Sequence, residues 1–195
     1  MSVDARLRGF RRVLRKDDVR ALSRRYFVAN GFDGSLTTIG VVVGAYLSGI
    51  ADGAIVIGIG LGAAVGLGTS GVWSVWEIER AETSRERAHL EATMLTSLEN
   101  TRLTRDLRNA QIVLALAAAS GPVLSILIML IPFLFVDIVY DIRTAVLLSI
   151  LIGIALLATV GAYMGMISRQ RWYVAAARMG LAGIVVAILS IVLPG

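Results

Sequence analysis

Two groups of residues have the types and spacing to do chemistry. Asn30, Asp33, Thr37, Gly40 and Gly44 step +3, +4, +3, +4 along the chain. On an α-helix those steps place all five on one face. The face joins a carboxylate to a hydroxyl one turn away, an oxygen donor set that suits a cation or a proton. The second group is Glu77, Glu79, Glu82, Glu86, His89 and Glu91. Within it Glu79, Glu82, Glu86 and His89 step +3, +4, +3 and share a face. Glu86-x-x-His89 has the spacing of carboxylate-bridged metal sites in helical bundles. Carboxylate with imidazole suits Fe²⁺, Mn²⁺ or Zn²⁺. The same segment also reads as a solvated helix laced with ion pairs. Glu82–Arg85, Glu99–Arg102 and Arg102–Asp106 all have pairing distance. His89 is the only histidine, so no His₂ or His₃ zinc site forms within one chain.

The elements that must hold these residues are spanning helices. The chain has 195 residues, 56% of them apolar, and its mean hydropathy is +0.76. A soluble domain of this size has too much surface for its volume to bury that much apolar area. A bilayer accepts it, and the apolar runs are long enough to cross one. The expected fold is an all-α membrane protein with five transmembrane helices. The spans are Phe27–Ile50, Ala54–Trp76, Ala110–Val136, Thr144–Ile167 and Trp172–Leu193. Residues 1–25 form a basic cytoplasmic segment. Residues 26–195 form the five-helix domain, which includes a charged helical extension, Glu77–Asn109, between the second and third spans. Leu7, Phe10, Leu14 and Leu22 recur at roughly helical spacing among the first arginines. That suits either a helix on an anionic membrane surface or a solvated basic tail.

Charge sets the expected orientation. The chain carries nineteen basic residues. Eighteen fall in the N-terminal segment, the charged extension, and the last loop with the start of the fifth span. Only Arg143 falls on the other side. The positive-inside rule then puts the N-terminus in the cytoplasm and the C-terminus outside. The basic balance reports orientation, and no nucleic-acid partner is expected. Zero cysteines exclude a disulfide framework and a thiol nucleophile. Without a His pair or paired carboxylates inside the spans, no enzyme is expected.

Inside the spans, Asp33 lies about two turns deep, where a carboxylate must be paired, protonated or hydrated. Its stripe reads as an ion path, or else as a helix contact whose polar groups bond across the interface. Gly58, Gly62 and Gly66 repeat every four residues. With Gly40 and Gly44 they read as a close-packing ridge, between the first two spans or across a dimer axis. Gly58-Ile59-Gly60 follows no strand, so it is no dinucleotide loop. Pro122 and Pro132 each free a carbonyl in the third span, giving a cation ligand or simply a kink. Arg178, one turn into the fifth span, is expected to snorkel to the interface.

The segment Asp33-Gly34-Ser35-Leu36-Thr37-Thr38-Ile39-Gly40-Val41-Val42-Val43-Gly44 resembles the first-span signature of the vacuolar iron transporter family, roughly D-G-x-x-T-x-x-G-x-x-x-G. Gly71-Val72-Trp73 with Glu79-Arg80 and Glu82 is similar to that family's end of span two. Gly121-Pro122 and Ile131-Pro132-Phe133 are similar to its third span, and Arg178-Met179-Gly180-Leu181 to the start of its fifth. The resemblance implies a homodimer with a pore between the first two spans of each subunit. It implies export of Fe²⁺, and often Mn²⁺, in exchange for protons. Asp33 would be the metal- and proton-carrying acid, and Glu79 and Glu82 would begin a cytoplasmic metal-gathering helix. Two positions depart from the pattern. The family's second-span Met and Glu are replaced by Gly68 and Val72, so Thr69, Ser70 or Glu77 would have to supply ligands.

The expected function is a secondary transporter of Fe²⁺ or Mn²⁺. The metal is cargo, and no tightly bound cofactor is expected. The alternative is a divergent, non-transporting assembly or regulatory protein whose acidic helix binds a partner. Short tails and heavy use of Arg, Ala, Gly and Val suggest a prokaryotic plasma membrane.

Overall fold

The computed structural model describes residue 10, residues 12–94 and residues 101–193. Five long helices follow in order: α1 (Asp17–Leu47), α2 (Gly53–Met94), α3 (Arg102–Leu130), α4 (Ile142–Ile167) and α5 (Trp172–Val192). A 3₁₀ segment, Ile131–Phe135, continues α3. Five helices among the described residues are long and apolar enough to cross a membrane.

Local chemistry sets the helix ends. Asp17 and Asp18 open α1, where negative charge favours the helix dipole. Gly49 takes the left-handed conformation, φ 80°, which ends α1 without a Cβ clash. Asp52 then accepts the Ala54 backbone N–H at 2.7 Å to start α2. Thr101 and Asp141 cap α3 and α4 in the same way, each accepting the N–H of Thr104 or Thr144. Pro132 cannot donate to the Ile128 carbonyl, so the Ile131 N–H takes it and the helix tightens into 3₁₀.

One boundary differs from the sequence expectation. The first helix starts at Asp17, ten residues before the apolar run, so the division drawn at residue 25 falls inside one continuous helix. The second runs unbroken for 42 residues, carrying the second span and the charged extension as far as Met94 on one axis. The described residues just ahead of α1 pack onto the bundle. Val13 is fully buried with Val19, Val75, Leu114 and Ala118, and Lys16 pairs with Asp106 at 3.4 Å. Leu14, one of the expected apolar positions, is half-exposed instead.

Within the bundle α3 packs against both α1 and α2, while α4 pairs with α5 and both touch α1. The close crossings lie at glycines. A Cβ on Gly34 would stand 2.6 Å from Pro122 Cα, and one on Gly161 would stand 2.6 Å from the Ala175 carbonyl oxygen. A Cβ on Gly121 would collide with the Phe27 carbonyl. The expected ridge is not among these crossings. Nothing lies within 4 Å of a Cβ built on Gly44, Gly58, Gly62 or Gly66, and Gly40 meets only the Ser190 hydroxyl at 3.8 Å. Packing of α1 on α2 through this ridge is therefore corrected. The buried face of α2 is Gly53, Val56, Gly60, Ala64, Gly68, Gly71 and Val75. It turns toward α3 and leaves Gly58, Gly62 and Gly66 on the outside.

Candidate functional site

The polar stripe of α1 lies on the outer side of the bundle. Its inner face presents Gly34, Ser35, Thr38, Ile39, Val42 and Val43, all buried. Asp33, Thr37 and Gly44 are exposed, while Asn30 and Gly40 are half-buried. The inner hydroxyls are spent within the fold. Thr38 donates to the Gly34 carbonyl at 2.7 Å and Ser35 to the Gly31 carbonyl at 3.0 Å. Asn30 donates to the Tyr26 carbonyl at 2.9 Å. Asp33 forms no ion pair among the described residues, which leaves the carboxylate open to whatever lies against α1.

The outer face of α2 stands beside it in level. Helix α3 provides the ruler: Gly34 of α1 abuts Pro122, and Gly68 of α2 abuts the next residue, Val123. Asp33 and Thr69, each one residue from those contacts, therefore share one depth. Thr69, Ser70, Gly58, Gly62 and Gly66 are all exposed. The outer faces of α1 and α2 thus carry, at neighbouring depths, a carboxylate, two threonines and a serine among glycines, all exposed among the described residues.

The two prolines do not add a ligand to those faces. Pro122 frees the Ala118 carbonyl, whose oxygen lies 3.1 Å from where a Cβ on Gly71 would be, in the contact with α2. Ser125, absent from the sequence reading, sits one turn past Pro122. Its hydroxyl lies 3.1 Å from the Gly121 carbonyl and 3.2 Å from the Gly31 carbonyl of α1. A serine three residues after an intrahelical proline is the only trace of this in the sequence.

Along the α2 extension the acidic residues divide. Glu77 is exposed and pairs with Arg80 at 3.8 Å. Glu79 turns inward, where its carboxylate accepts the Tyr26 hydroxyl at 2.8 Å and its backbone carbonyl accepts Gln111 Nε2 at 3.3 Å. Tyr26 and Gln111 thus tie the starts of α1 and α3 to α2. Neither contact is visible in the sequence, because the Tyr26 partner is 53 positions away. Glu82, Glu86 and His89 line one open hollow, with Arg85 among them. Glu91 is held by Arg87 at 2.9 Å. Among the described residues no three His, Asp or Glu side chains converge to hold a metal ion. Glu79, Glu82, Glu86 and His89 therefore share a helix but do not form a ready-made cage. Of the expected ion pairs, Glu99–Arg102 lies outside the described residues, and Asp106 reaches Lys16.

No protein-family model matches the chain. Its sequence is 30% identical over 168 residues to the uncharacterized protein MJ0645 of Methanocaldococcus jannaschii, with 85% of each chain covered.

Proposed function

The chain belongs to the family of the uncharacterized archaeal protein MJ0645, and we propose for it a function read from its own geometry. It is a homodimeric membrane transporter that moves divalent metal ions, Fe²⁺ or Mn²⁺, out of the cytoplasm in exchange for protons. All five helices span a prokaryotic plasma membrane, with the N-terminus and the α2 extension in the cytoplasm and the C-terminus outside. The one-sided distribution of arginine supports that placement. The likeness of Asp33–Gly44 to the vacuolar iron transporter signature supports the cargo.

One observation carries the reading: Asp33 is exposed on the outer side of a spanning helix. On insertion scales an ionised carboxylate facing lipid costs up to about 2.5–3.5 kcal/mol, the value at the helix centre. A second copy covering the same side would remove Asp33 from lipid and face it with its twin. The glycine faces of α1 and α2 allow the close approach this needs. The carboxylates then lie in a shared path and are neutralised in turn by a metal ion and by protons. Thr37 and Thr69 add oxygen ligands at neighbouring depth. Glu77, Glu82, Glu86 and His89 draw cations to the cytoplasmic mouth.

Proteoliposomes test this directly. Wild type should move Fe²⁺ or Mn²⁺ faster under a pH gradient. Asp33→Asn, reconstituted in equal amount and shown to insert, should lose the coupled flux. Full transport by Asp33→Asn would end the exchange mechanism.

A second reading has an observation of its own. Gly68 occupies the position of the transporters' second-span Met and is packed so that even a Cβ would meet Val123 at 2.9 Å. A methionine there would have to displace the Val123 side chain. A wild type that moves none of Fe²⁺, Mn²⁺, Co²⁺ and Zn²⁺ would favour a non-transporting assembly protein whose acidic α2 extension binds a partner.

A further inference from the structure

Arg178 is exposed in the second turn of α5, inside an apolar helix. Arg171, at the N-cap of the same helix, is seven positions earlier and exposed as well. Seven positions are two helical turns, so the two arginines share a face. Neither forms an ion pair among the described residues. Trp172 stands beside them, 58% exposed. Past Arg178 the same face continues with Leu181, Val185 and Leu189, exposed by 55%, 46% and 49%. Two cations therefore head a hydrocarbon track of about 12 Å along the helix axis, most of the ~15 Å depth of one bilayer leaflet.

We infer that the start of α5 holds the phosphate of an anionic phospholipid between Arg171 and Arg178, with an acyl chain along Leu181, Val185 and Leu189. Guanidinium groups match a phosphate with paired hydrogen bonds. Arg178 reaches the headgroup level by extending its stem toward the cytoplasmic side. Trp172 sits at the depth where indole rings favour the interface. A zwitterionic lipid leaves its own ammonium beside the phosphate, so a net anionic headgroup such as phosphatidylglycerol complements the pair better. The inference rests on the membrane placement proposed above and is independent of metal transport.

Native mass spectrometry of the purified full chain in detergent reads it out. Phosphatidylglycerol should be retained about tenfold over phosphatidylcholine, the scale of one charge-assisted contact. Arg171→Gln with Arg178→Gln should lose the preference, and the two Lys substitutions should keep part of it. The lipid competition on wild type needs no variant to fold. Equal retention of both lipids by wild type, or an unchanged preference in the Gln variant, would overturn the site. Displacement by inorganic phosphate would make it a free-anion site and overturn the lipid assignment. A Gln variant that changes subunit number but not lipid adducts would assign the arginines to a contact between copies, against the proposal. Failure of the membrane placement would look different, as a chain that stays monodisperse without detergent.

Discussion

Gly34 and Gly44 lie on one helix, in one sequence motif, under opposite conditions. At Gly34 a Cβ would press on the backbone of Pro122, while at Gly44 it would meet nothing within 4 Å. Gly34→Ala should therefore destabilise the folded chain by about 1–3 kcal/mol, the usual cost of overpacking. Gly44→Ala should leave the isolated chain as stable or slightly more so, because alanine favours a helix interior over glycine by about 1 kcal/mol. Thermal unfolding in detergent separates them, and equal midpoints would mean that α1 and α3 do not cross at Gly34. The motif itself was legible in the sequence, since a carboxylate in an apolar run has few uses. Which glycines pack was not. Both faces of α2 carry them at helical spacing, and only the third dimension says which one meets α3. Val13 shows a further limit. The apolar pattern of the N-terminal segment points to Leu14, yet Val13 is buried and Leu14 half-exposed, because the chain turns before α1 and breaks the period.

Element boundaries follow from a few polar side chains. At α4, the Asp141 carboxylate accepts the Thr144 hydroxyl at 2.6 Å and its backbone N–H at 3.4 Å. The hydroxyl contact foremost holds the Asp141 carboxyl below its ordinary range. A depressed folded-state value means that the cap stabilises above the unfolded value, about pH 3.9, and is lost as pH falls through the lower, folded one. Asp141→Ala should lower the unfolding midpoint near neutral pH, and the gap to wild type should close below about pH 4. A gap that stays constant down to pH 2 would assign the effect to something other than this carboxylate. The number of long apolar helices and the turn positions were legible because charge and Asp52-Gly53 punctuate the apolar runs. The early start of α1 was not, since arginine is a good helix former and gives no boundary signal.

For the whole molecule the decisive fact is that α1 and α2 each have a bare outer face. Gly62→Leu adds a large side chain where the single chain has open space, so monomer folding should be unaffected. A dimer that closes over these faces should be weakened by about tenfold or more, since small residues are what let such helices approach. Light scattering in detergent at graded concentration measures it, and an undisturbed dimer would turn the α2 face to lipid. The placement of α3 against both α1 and α2 was not legible. Spans that are apolar nearly all round carry no signal for which side faces which neighbour.

The unbroken course of α2 has a mechanical consequence. From Trp76 to Met94 it projects about 27 Å beyond the second span as one rod. Past Gly71 it has neither glycine nor proline to act as a joint. Tilting the span by about 10° would sweep the far end through roughly 5 Å. Tyr26, through Glu79, bears on the rod near its fulcrum. Tilt of the apolar part of α2 and displacement of Glu86 and His89 are thereby geared together, with the longer arm, Gly53 to Glu79, on the apolar side.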